Sequence, residues 1–135
     1  MTPAQVAAEV LTRITDQPRT YDQKLWLEGR DWVPMTNEQC IDPSETVETW
    51  ADCGTTACVA GHAAHVIARA TGRGVIYAGI SRTAGEGLAL GFSAEGWLFD
   101  SGRTKEEVTA ALRWLSQRRS TRPVGLDDLT LGAGL

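Results

Sequence analysis

Cys53-Gly54-Thr55-Thr56-Ala57-Cys58-Val59-Ala60-Gly61-His62-Ala63-Ala64-His65 holds two of the chain's three cysteines and both of its histidines. The small and apolar residues of this stretch run on to Gly72, a natural helix stop, and predict a helix over about 55–71. At about 100° per residue, Val59, Ala63, Val66, Ile67 and Ala70 share one side and form a core face. Cys58, His62, His65 and Arg69 share the adjacent side. A helix greasy on one flank and chemical on the next belongs at the centre of a mainly α fold. We expect a single domain of five or six helices around it.

Upstream, Thr2-Pro3-Ala4-Gln5 is a helix start, with Thr as N-cap, Pro in the first turn and Gln three residues after the cap. Val6, Val10 and Ile14 then form one apolar stripe, and Pro18 ends it. Thr20-Tyr21-Asp22-Gln23 repeats the capping pattern and predicts a short helix to Gly29, with Leu25 and Trp26 on its buried side. Residues 30–52 lack periodicity and hold Pro34 and Pro43. They read as a long irregular loop, folded back on the body by Trp32 and Trp50.

Downstream, Gly74 to Gly79 reads as an extended connector, since a lone strand there has no visible partner. Ser81 is expected to cap a helix running to Leu90. Ser93 is expected to cap a short one carrying Trp97, Leu98 and Phe99. Thr104-Lys105-Glu106-Glu107 is a full capping box, opening a helix with Val108, Ala111, Leu112 and Leu115 on one face. Residues 1–120 make up the helical domain on this reading, and 121–135 a loose C-terminal tail.

The chain has 135 residues and a formal net charge of −4. An acidic chain is a poor electrostatic partner for nucleic acid, which is bound through basic faces. Arg113, Arg118, Arg119 and Arg122 read instead as favourable charge near a helix C-terminus. No run is long and apolar enough to span a membrane, and the first nineteen residues lack the apolar core of a signal peptide. An odd number of cysteines fits a reducing cytoplasm better than a disulfide framework.

The Cys/His stretch admits three chemistries. Cys58, His62 and His65, with Cys53 just ahead of the helix, would be a zinc set, although C-x4-C-x3-H-x2-H is not a familiar zinc spacing and Arg69 lies close by. Cys53 at a helix N-terminus, or Cys58 one turn from His62, would be a thiol nucleophile with its base. In the third reading Cys53, Gly54, Thr55, Cys58, Gly61, His62 and His65 are a structural motif. Here the cysteines are packed as core, the glycines permit close approach, Thr55 or Thr56 caps, and the histidines bond at the core's edge. We favour this reading and expect neither metal nor cofactor.

The stretch from Cys53 to Ala63 resembles the signature of an uncharacterised family of small actinobacteriophage and bacterial proteins, approximately Cys-Gly-Thr-x-Ala-Cys-(Ile/Val)-Ala-Gly-(His/Trp)-Ala. Tyr21-Asp22 with Trp26, Leu88-Ala89-Leu90-Gly91 and Leu98-Phe99 fit its flanking elements. The resemblance covers about residues 20–115. It implies that His62, replaceable by Trp, is not an obligate metal ligand, and it implies a phage-type accessory role. With five tryptophans in the chain, and aromatics enriched at interfaces, we expect a cytoplasmic, non-enzymatic protein that binds a host or phage protein. Trp32, Trp50 and Trp97 are the candidate binding residues, and a homodimer is compatible with the sequence.

Overall fold

The computed structural model describes residues 1–28 and 36–135, and over these the chain is mainly helical. Helices α1 (Pro3–Asp16), α2 (Val47–Cys53), α3 (Val59–Thr71), α4 (Ile80–Gly87), α5 (Phe92–Leu98), α6 (Lys105–Ser116) and α7 (Leu126–Gly132) follow in order. Among the described residues four two-residue strands accompany them: β1 (Leu27–Glu28), β2 (Cys40–Ile41), β3 (Thr56–Ala57) and β4 (Val75–Ile76). β1 pairs antiparallel with β3, and β2 with β4.

The local signals at two helix starts act as written. Thr2 and Gln5 close both halves of a capping box on α1, and Thr104 and Glu107 do the same on α6. Each box satisfies N–H groups that a helix end otherwise leaves without partners. The stripe Val6, Val10 and Ile14 is buried and packs against the buried Val108, Ala111, Leu112 and Leu115 of α6. α3 lies between α1 and α4. It is buried at every residue from Val59 to Val66, which is why it is apolar and small nearly all round.

The structure departs from the sequence reading where the backbone bonds at long range. The central helix begins at Val59, not at 55. Gly54 (φ +81°) ends α2 in the left-handed region, and Thr56–Ala57 runs extended before Cys58 caps α3. Beyond a 3-10 turn over Pro18–Thr20, no helix forms over 21–28. Its backbone bonds the motif instead: the Asp22 N–H donates to the Ala57 carbonyl, and the Cys58 N–H to the Leu25 carbonyl. The predicted loop over 30–52 holds β2 and α2, the latter capped by Thr46. The 74–79 connector contains β4, whose missing partner is β2, thirty-odd residues upstream. Ser81 and Ser93 are not caps; Gly79 and Gly91 occupy those positions, and α4 stops at Gly87. The expected loose tail is α7, anchored by the buried Val124 and Leu129. Val124 donates to the Ala89 carbonyl and accepts from the Gly91 N–H.

Candidate functional site

The motif around α3 is a buried polar assembly. His65 accepts at Nδ1 from the Arg13 guanidinium (2.7 Å), because a guanidinium has no lone pair to offer. Its Nε2 therefore carries the proton and donates to the Glu45 carbonyl (2.8 Å). His62 donates from Nε2 to the Thr20 carbonyl (2.6 Å), and its Nδ1 is buried without a partner among the described residues. The indole of Trp50 stacks on His65 at 4.0 Å between centroids with the planes 9° apart, and tilts against His62 at 5.4 Å. Burial, and secondarily the Arg13 charge, push His62 down to about 3 and His65 to about 4. Both rings are neutral at physiological pH. The same burial lowers the Arg13 pKa from its usual value.

This geometry answers the three chemistries one at a time. For zinc, both nitrogens of His65 and the Nε2 of His62 are committed to protein groups. No three His, Cys, Asp or Glu side chains converge on a common point among the described residues. For a thiol enzyme, Cys53 is the last residue of α2 and not the first of α3. It therefore lies away from the free N–H groups of the α3 N-terminus, where the nucleophile reading needs it. Its Sγ lies 3.1 Å from the Thr55 hydroxyl. Cys58 is buried, and that burial raises its thiol to about 11. Its Sγ faces the Trp26 carbonyl, and His62 faces the Thr20 carbonyl. The histidines sit at the centre of the core rather than at its edge, whereas Ala70, expected on the core face, is exposed.

Gly61 explains much of the motif's spelling. A Cβ there would collide with the Trp26 carbonyl and lie 2.6 Å from the Ala57 Cβ. The first turn of α3 thus packs directly on the backbone of residue 26. The Val59 N–H also donates to the Gln23 side chain (3.3 Å), whose amide reaches the Leu98 and Asp100 carbonyls (2.9 and 3.1 Å). These bonds tie segment 21–28 to α3 on one side and to the end of α5 on the other.

Trp26 is what this scaffold presents outward. Its side chain is 41 % exposed, not buried as the helical reading of 20–29 required. It meets Phe99 edge to face, with centroids 6.3 Å apart and planes at 74°. Phe92, at the start of α5, is 92 % exposed. Together with Glu95 and Asp100 these rings line a cleft of about 220 Å3, and Trp26 also walls a second of about 190 Å3 beside Tyr77 and Ile80.

The expected binding tryptophans fall elsewhere. Trp50 is a core residue, 2 % exposed. Trp97 is half-buried under the Arg103 guanidinium, 4.9 Å from its ring centre. Trp32 lies outside the described residues. Sequence reasoning missed Trp26 and Phe92. The available signal was a phenylalanine directly after the Gly91 helix stop, with no apolar periodicity to place it inside. No protein-family model, curated protein or solved structure matches the chain. No described helix is long and apolar enough to cross a membrane.

Proposed function

We propose that this chain is a small non-enzymatic interaction protein that docks a protein partner on the face built by Trp26, Phe99 and Phe92. One observation carries the reading: a phenylalanine 92 % exposed stands beside a tryptophan 41 % exposed, while the other large aromatics among the described residues are buried or half-buried. Exposed aromatics flanking clefts are the usual anchors of interfaces. The Cys/His stretch supports the docking face from behind, since Gly61, Cys58 and Gln23 fix the backbone that presents Trp26. That use of the motif, with its thiols and imidazoles turned to backbone carbonyls, argues for architecture over catalysis.

A host or phage protein is the partner class that the motif resemblance favours. The cytoplasm is the compartment that three free cysteines favour. A second copy of the chain would use the same face. The test is affinity capture from bacterial and phage-infected lysates with the wild type and with Phe92→Ser. We expect a protein retained by the wild type and lost with the variant, and a folded variant with unchanged melting. Equal retention by both would overturn the reading.

A further inference from the structure

The docking face carries more chemical detail than an apolar patch. Trp26 and Phe99 meet at 74°, so their rings form two walls of a corner. Phe92 stands on a third side. Among the described residues, the charged groups lining this cleft are Glu95 and Asp100, both anionic. Neither is loosely placed. The Ser81 hydroxyl donates to Glu95 Oε1 (2.7 Å), and Gly85 lets the carboxyl lie flat on α4, where a Cβ would collide with Oε2. Asp100 Oδ1 accepts from the Gly102 N–H (2.7 Å).

Glu95 Oε2 has no donor among the described residues. Two described cations of the flanking segments are occupied elsewhere: Arg82 pairs with Glu86, and Arg103 with Glu107 while covering Trp97. Aromatic faces and oriented carboxylates around one small space are the two features that attract an organic cation, through ring quadrupoles and through charge-assisted hydrogen bonds. The cleft of about 220 Å3 has room for about seven water-sized groups at roughly 30 Å3 each. That suits one long side chain.

We infer that this cleft receives a single cationic side chain, arginine or lysine, from the partner protein. The inference rests on the docking reading above and supplies the chemistry of its anchor. The acidic balance of the chain, 17 carboxylates against 13 Lys and Arg, favours the same sign of partner.

The test uses N-acetyl-arginine amide and its uncharged isostere N-acetyl-citrulline amide as probes, read by NMR at the Trp26 indole N–H. That signal is assigned with a Trp26→Phe variant. We expect a saturating shift with the arginine probe, weakened by salt, and little shift with citrulline. Glu95→Gln, which keeps the side-chain shape, is expected to weaken arginine binding about tenfold, and Phe92→Ser to weaken it with no change in melting. Equal shifts from both probes, or wild-type affinity in Glu95→Gln, would overturn the inference. The two readings fail separately. A partner retained by the wild type and lost in Phe92→Ser, with no arginine-specific shift, leaves the docking face standing and removes the cation. A cation-specific shift with no retained partner does the reverse.

Discussion

Trp50 on His65 and Trp26 against Phe99 are both aromatic pairs, yet one is sealed and the other open. At the sealed pair the rings lie 4.0 Å apart and 9° from parallel; His62 Nδ1 is buried without a partner among the described residues, and Arg13 Nε lies 3.6 Å from the Glu9 carboxylate. At the open pair the rings stand 6.3 Å apart at 74°, beside an open cleft. The sealed site contains the chain's most eye-catching residues, and its chemistry is used up internally. The open site has no conspicuous motif, and its chemistry is left unspent. In this fold, residue types that suggest reactivity mark the frame, and ordinary aromatics mark the exposed face.

That contrast is open to direct attack. The largest effect should come from Trp50→Ala, which empties the sealed stack and frees His65 from its cover. We expect a loss of about 4 kcal/mol in urea unfolding; a loss under 1 kcal/mol would mean that the stack is not a core element.

Gly61→Ala should cost about 3 kcal/mol, because the new methyl meets a backbone carbonyl and not a flexible side chain. Gly96→Ala is its control. With nothing within 4 Å of a Cβ there, it should stabilise by about 0.5–1 kcal/mol through helix propensity alone. Similar melting of the two variants would show that the approach of residue 26 to α3 is not tight.

Acidification comes next. The folded pKa values of His62 and His65 lie near 3 and 4, below the unfolded value of about 6.5. Their contribution is complete above pH 6.5 and falls as the unfolded chain takes up protons. Between pH 6.5 and 5.5 the two should together remove about 2 kcal/mol. Stability flat over that interval would place the rings in water. The smallest effect belongs to the open site: Phe92→Ser should change stability by less than about 0.5 kcal/mol, and a larger loss would make Phe92 part of the core.

What could be read from the sequence was local. The capping boxes at Thr2 and Thr104 and the stripes of α1 and α6 involve residues three or four apart, and they stand as expected. α3 was recognised, but its start was misplaced by four residues because Gly54, Thr55 and Thr56 are permissive in isolation. Only pairing of Thr56–Ala57 with Leu27–Glu28 makes them a turn and a strand. The candidate site was less legible. His65 meets Arg13 across 52 positions, and His62 meets Thr20 across 42. No spacing rule announces either bond. The capping pattern at Thr20 argues for a helix, which would turn Trp26 inward. The backbone there is instead drawn off to Ala57 and Cys58, which turns the indole outward.

The two backbone bonds that Val124 makes, to Ala89 and from Gly91, lie immediately ahead of Phe92 and α5. Their amide protons are shielded only while the last helix stays seated. Hydrogen exchange at Gly91 and Val124 is therefore a gauge of how firmly the aromatic corner is held from beneath. A ligand gripping the corner should slow both together, although neither amide touches it. Trimming residues 121–135 would remove Val124 and Leu129. It would orphan the Ala89 carbonyl and the Gly91 N–H and let the corner drift, so the stretch that reads as dispensable is the one to keep in any truncation series.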